Sequence, residues 1–204
     1  MEIQGQWPTR SPYQRIHAYH QLNSGIKHLP TEKAYRTIDH LLQWASMDQV
    51  PSGRSPILNR DQLKILSRSQ VIEIGAHTLT HPRLTSLPEL EQNEEIRSSK
   101  SRLEKLIESP VRLFSYPYGA PGDFNAVTIR LVHQAQFSAA VSNIQKTLDA
   151  DDSALAIPRL LVRNWSGKSF STWMDSPEAV GLEKQSLQER DIRLKQWFQQ
   201  EKSA

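Results

Sequence analysis

The chain has 204 residues, 25 Lys and Arg against 22 Asp and Glu, a net charge of +3, 37% hydrophobic residues, 12 Pro and no Cys. That length supports one domain burying roughly 70% of its unfolded surface without staples, and the lack of cysteine removes disulfides, thiolate metal sites and Cys nucleophiles together. The basic excess sits in residues 1–70, nine Lys and Arg against five Asp and Glu, and is too small for a nucleic-acid footprint.

Met1–Arg10 carries neither the basic nor the apolar part of a signal peptide, which makes the cytoplasm the default expectation, and no apolar run is long enough to span a membrane. Residues 1–30 read as irregular, punctuated by Trp7-Pro8, Ser11-Pro12 and Leu29-Pro30. A helix follows from Thr31, with Ala34, Ile38, Leu41, Leu42 and Ala45 on one face; Val50–Ser55 reads as a loop and Arg60–Ser67 as a short helix with Leu63 and Leu66 inward.

From residue 71 the pattern alternates strand and helix. Val71–Ala76 reads as a buried strand, and Ser86-Leu87-Pro88-Glu89 as a capping box opening a helix that stops at Ser109-Pro110. Val111–Ser115 reads as a second strand, Val127–Ala135 as a helix, Phe137–Val141 as a third strand and Ile157–Val162 as a fourth. Leu182–Lys202 reads as a charge-balanced amphipathic helix suited to packing or a protein partner. Alternating units of this length imply an α/β fold with parallel strands, whose chemistry sits on the loops after the strands. The domain expectation is a helical segment 1–70, a β/α region 71–175 and a C-terminal helix 176–204.

Three of those loops carry candidate chemistry. Gly75-Ala76-His77-Thr78-Leu79-Thr80-His81-Pro82 places two imidazoles four residues apart after a strand; neutral nitrogen donors suit zinc and its neighbours, and two polar loop residues are the bland alternative. Phe114-Ser115-Tyr116-Pro117-Tyr118-Gly119 combines aromatic faces with a Pro/Gly-fixed backbone, equipment for a sugar ring and a developing oxyanion as well as for an ordinary turn. Trp165 could wall a carbohydrate pocket or pack at the rim.

Together these segments resemble the polysaccharide deacetylases, carbohydrate esterases that include chitooligosaccharide deacetylases. The resemblance covers about residues 70–170 and rests on IEIGAHTLTHPRL at 72–84, FSYPYG at 114–119 and IPRLLVRNW at 157–165. It implies a divalent metal, zinc first with cobalt, iron or manganese as alternatives, ligated by His77 and His81. It implies a catalytic contribution from Tyr118, whose backbone N–H helps hold the oxyanion. Tyr116, Pro117 and Trp165 are the expected substrate contacts. The implied reaction is hydrolysis of an acetyl group, a carbon–nitrogen bond in N-acetylated sugars, on an acetylated polysaccharide or oligosaccharide.

The departures are as informative as the matches. The family's Thr-Phe-Asp-Asp motif, source of the catalytic base and third metal ligand, is absent upstream of His77; the chain's Asp151-Asp152 pair reads as a solvated loop. Ser115 stands where the family has Arg, Asn164 where it has Asp, and no Leu-x-x-His follows His133. Glu73 shares strand parity with His77 and is a candidate substitute carboxylate, with a structural role as the alternative. The expected fold is thus a partial distorted (β/α) seven-stranded barrel lacking its first strands, impaired in activity. The rival reading is a non-catalytic carbohydrate-binding remnant, or half of a split barrel completed by a partner fragment or by self-association. Nucleic-acid binding through His17, His20, His28 and His40 is disfavoured.

Overall fold

The computed structural model describes residues 6–47, 57–162 and 164–174. The chain divides into two compact units, Met1–Val111 and Arg112–Ala204. Val50–Ser55 and the helix expected over Leu182–Lys202 lie outside the described residues.

The first unit opens with a helix, α1 (Pro12–Lys27), where an irregular stretch was expected. Ser11-Pro12-Tyr13-Gln14 explains it. The Ser11 hydroxyl accepts from Gln14 N–H, the Gln14 side chain accepts from Ser11 N–H, and Pro12 occupies the first turn, where its missing donor costs nothing. The breaker Pro12 thus starts a helix. Helix α2 (Thr31–Trp44) follows Pro30, with Glu32 in the first turn, and half-buries the expected Ala34, Ile38, Leu41 and Leu42, while Ala45 stays exposed. Helix α3 (Arg60–Ser67) is capped by Asn59 and Gln62 in a reciprocal box at 2.9 Å each way and half-buries Leu63 and Leu66.

Strand β1 is only Gly75–Ala76. Of the expected buried strand Val71–Ala76, Ala76 is buried at 1% exposure while Val71 is 91% exposed. An apolar run becomes a strand only where a neighbour takes up its N–H and C=O groups, and this run makes ladder contacts at its last two residues alone. After a 3-10 turn (Leu84–Ser86) comes α4 (Glu89–Ile107). The expected capping box at Ser86 does not form, because the Ser86 hydroxyl donates to Arg83 O at 2.6 Å and Pro88 becomes the N-cap without a side-chain bond. The helix stops where expected, on Glu108 in the left-handed conformation. Leu84, Ile96 and Val111 are wholly buried. The buried Gln92 side chain is satisfied by donating to Leu87 O.

The second unit holds β2 (Leu113–Ser115), α5 (Ala126–Gln134) and β3 (Ala139–Val141). β2 and β3 pair in parallel, Phe114 opposite Ala140, with α5 as the crossover. Asn125 caps α5 by accepting from Thr128 N–H. Phe114, Tyr116, Phe124, Ile129, Val132 and Phe137 are buried. The fourth expected strand, Ile157–Val162, reduces to a single parallel bridge between Ile157 and Val141. Pro158 has no N–H to extend a ladder, and Leu161 and Val162 are exposed. A last helix, α6 (Gly167–Met174), was not expected; the Ser166 hydroxyl accepts from Ser169 N–H at its start. The described architecture is therefore α/β with short parallel strands and helical flanks.

Candidate functional site

The loop after β1 brings His77 and His81 together, their rings edge to face with centroids 4.7 Å apart. Both are exposed. The juxtaposition depends on two left-handed residues, Thr78 at φ 62° and His81 at φ 59°. For a β-branched residue that conformation is a genuine outlier, and each such residue costs about 1–3 kcal/mol. Local bonds offset the cost: the Thr78 hydroxyl donates to His77 O at 2.6 Å and accepts from His81 N–H at 3.1 Å.

A residue that sequence reasoning missed holds the middle of the loop. Glu95, on α4, accepts from Leu79 N–H at 2.7 Å, from Thr80 N–H at 3.0 Å and from the Thr80 hydroxyl at 2.6 Å. Two contacts tie the same region to the N-terminal helices: Arg83 donates to His28 Nδ1 at 2.9 Å, and the Thr80 and Thr31 hydroxyls lie 3.4 Å apart.

The donor chemistry fits a divalent cation in kind. Two imidazoles sharing one tetrahedral ion at about 2.0–2.1 Å per nitrogen have centroids roughly 5 Å apart, near the observed 4.7 Å. The set is incomplete, since among the described residues no three His, Cys, Asp or Glu side chains come together. Glu73 is exposed on the same parity as His77 and joins no such group. Asp151-Asp152 supplies no ligand either and is not the solvated pair expected. Asp151 is exposed, whereas Asp152, with its side chain 17% exposed, pairs with Lys146 at 2.7 Å and accepts from Asp149 N–H. Burial pulls the Lys146 pKa down, but the bonds to Asp152 and Asp149 leave it above its ordinary value.

The loop after β2 is built differently. Tyr116 is 1% exposed, its ring stacked on Phe124 at 4.1 Å and its hydroxyl donating to Leu155 O at 2.7 Å. Burial pushes its phenol far above the usual range. Pro117 is wholly buried. The expected exposed aromatic face is therefore found at Tyr118 and not at Tyr116, which fills the core of its unit. Tyr118 is 37% exposed at φ 59°, in a three-residue turn closed by Gly119 N–H donating to Pro117 O at 2.6 Å. Burial, then the Asp123 carboxylate, raise its phenol. Asp123, read from sequence as punctuation, is buried and accepts from Ala120 N–H, fixing the far side of the loop. Gly119 is required here: φ is +69°, and an added Cβ would meet Asn143 N at 2.8 Å. Trp165 is half-buried with its ring 5.0 Å from that of Trp173, and Asn164 is exposed.

Comparison with known proteins bears on both loops. The family model for polysaccharide deacetylase matches residues 36–140. YxkH of Bacillus subtilis (strain 168), which carries a polysaccharide deacetylase name, is 24% identical over 125 residues, spanning 61% of this chain and 43% of that protein. Among solved structures, Streptococcus pyogenes deacetylase PplD, in complex with acetate, aligns with a TM-score of 0.53 at 23% identity, covering 61% of this chain and 54% of that one. IcaB from Ammonifex degensii aligns with a TM-score of 0.51 at 21% identity, covering 70% and 68%. At such identities the structural likeness is one of fold. The chain spans 43% of the curated relative and 54% of PplD.

Proposed function

The chain belongs to the polysaccharide deacetylase family, and from that premise we propose that it takes part in hydrolytic removal of acetyl groups from an acetylated polysaccharide or amino-sugar oligomer, with His77 and His81 holding a divalent cation. The observation that carries the proposal is the edge-to-face pair of imidazoles on a backbone bent left-handed at Thr78 and His81. A bound cation, zinc in the first instance, would supply Lewis acidity toward an acetyl carbonyl and a lowered pKa for water. Taken unit by unit, the first would present two imidazole nitrogen donors, and the second would offer the Tyr118 N–H to a developing oxyanion and contact sugar through Tyr118 and Trp165. In finer detail our reading of the fold is a partial seven-stranded barrel, with a helical segment over 1–70 and a β/α region over 71–175, while the helix expected over 176–204 lies outside the described residues.

Activity of the 204 residues alone is low. They contain no Thr-Phe-Asp-Asp motif, the family's source of the base and third ligand, no third ligand joins the histidines among the described residues, and general-base assistance is worth about 100- to 10,000-fold. The test is acetate release from N-acetylglucosamine oligomers with zinc or cobalt added. The expected result is no release, or a trace that His77→Ala abolishes. Robust turnover lost in His77→Ala would overturn the impairment, and turnover retained in both His77→Ala and His81→Ala would overturn the site.

A second reading, half of a barrel completed by another polypeptide or a second copy, is supported by Val71 and Ile72, apolar residues of the β1 run that are exposed at 91% and 45%. On that reading the base and third ligand arrive with the partner.

A further inference from the structure

We infer that Glu95 is the positioning residue of the histidine loop, acting on the two imidazoles through the backbone between them. His77 and His81 flank three residues, and the two left-handed bends fall at Thr78 and His81. Leu79 and Thr80 are the segment between those bends, so whatever fixes them fixes the angle at which the rings face. Glu95 does so with one carboxylate: Oε2 accepts from both backbone N–H groups, at 2.7 and 3.0 Å, and Oε1 from the Thr80 hydroxyl at 2.6 Å. Ionised acceptors make shorter and stronger bonds than neutral ones, and two successive N–H groups aimed at one anion form a small nest.

The carboxylate is itself well held. Its neighbour Ile96 is wholly buried, so this turn of α4 is anchored in the core of its unit and Glu95 stands on a rigid element. A solvated helix charge would make none of these contacts. Released from Glu95, the loop loses the three bonds that hold Leu79 and Thr80 between its bends, and the two rings lose their fixed relation.

The consequence for cation affinity rests on the proposed ligand role of His77 and His81; the consequence for the loop does not. The experiment therefore has two arms, on the full chain and on Glu95→Gln, Glu95→Ala and Glu91→Ala, the last removing a charge elsewhere on the same helix. The first arm is amide hydrogen exchange without metal, with the Ile96 and Val132 amides reporting global stability. Glu95→Ala is expected to speed exchange at Leu79 and Thr80 by roughly tenfold or more with the reference amides unchanged. Glu95→Gln, which keeps an oxygen acceptor but not the charge or the second acceptor, should fall between, and Glu91→Ala should match the parent. Unchanged exchange at Leu79 and Thr80 in both Glu95 variants overturns the inference, and if Glu95→Ala does not fold, Glu95→Gln decides alone.

The second arm is calorimetric titration with zinc. The parent is expected to bind, and the Glu95 variants to bind about 10- to 100-fold more weakly, the scale on which residues that orient metal ligands act. Equal zinc affinity in parent and Glu95→Ala overturns the inference. A parent that binds no zinc defeats the metal reading, and the exchange arm still decides the role of Glu95.

Discussion

The two candidate loops solve one problem in opposite ways. Each must hold a strained backbone after a short strand, with left-handed residues at Thr78 and His81 in one and at Tyr118 in the other. The histidine loop does it on the surface, with polar bonds converging on the Glu95 carboxylate. The tyrosine loop does it from inside, with Tyr116 and Pro117 buried, Tyr116 stacked on Phe124 and Asp123 closing the turn. A loop hung on one carboxylate can be released by one substitution while the fold survives; a loop seated on a core cannot move unless the core does. The first arrangement leaves two imidazoles exposed on the surface, and the second leaves one exposed ring on a rigid platform.

The comparison breaks most readily at Phe114. It is 2% exposed, between Tyr116 at 5.3 Å and Phe137 at 5.1 Å. Phe114→Ala should cost about 3–5 kcal/mol, whereas His77→Ala, at an exposed position, should stay within about 0.5 kcal/mol in metal-free chain. Urea unfolding of both variants provides the measurement. Similar losses would mean that the two loops do not differ in how they are supported.

A smaller effect sharpens the same contrast through pH. The Tyr116 phenol is raised by burial, so its folded-state pKa lies above the unfolded value near 10. Its contribution is thus complete below about pH 10 and is lost as pH climbs toward the folded value. Tyr116→Phe removes the bond to Leu155 O and should cost about 1 kcal/mol near neutrality, while flattening the decline of stability above pH 10. Tyr118 and Lys146 are also raised, so part of the alkaline slope remains. An identical slope in parent and variant would remove Tyr116 from the account.

These contrasts also explain what could be read from the residues alone. Helices α2, α3 and α5 announce themselves through apolar spacing, and the histidine pair and Pro-Tyr-Gly segment through their order along the chain. Helix α1 was legible too, in Ser11-Pro12-Tyr13-Gln14, but Pro12 reads as a breaker until the reciprocal cap is considered. Glu95 was not legible. It lies 14 residues beyond His81 among the charges of Glu-Gln-Asn-Glu-Glu, and only the packing of α4 singles it out from Glu94. Tyr116 shows the reverse error, since the motif suggests exposure for both its tyrosines and the pleat sends one of them inward. Strand lengths failed for a physical reason: apolarity is a property of a residue, but pairing belongs to two segments at once.

Val71 isolates that last point with the smallest expected change. Were Val71–Ala76 a strand buried throughout, replacing Val71 would open a hole in a core, at a cost of order 1 kcal/mol or more. At 91% exposure, Val71→Ser removes no packing, and thermal unfolding should shift by no more than about 0.5 kcal/mol in equivalent stability. A large loss would restore the longer strand. If the proposed half-barrel reading holds, the same substitution should reduce self-association in light scattering across a concentration series, because exposed apolar backbone edges are what a second chain pairs with. Unchanged association with unchanged stability would leave the exposed end of the run without that role and would favour a unit that works, or fails to work, by itself.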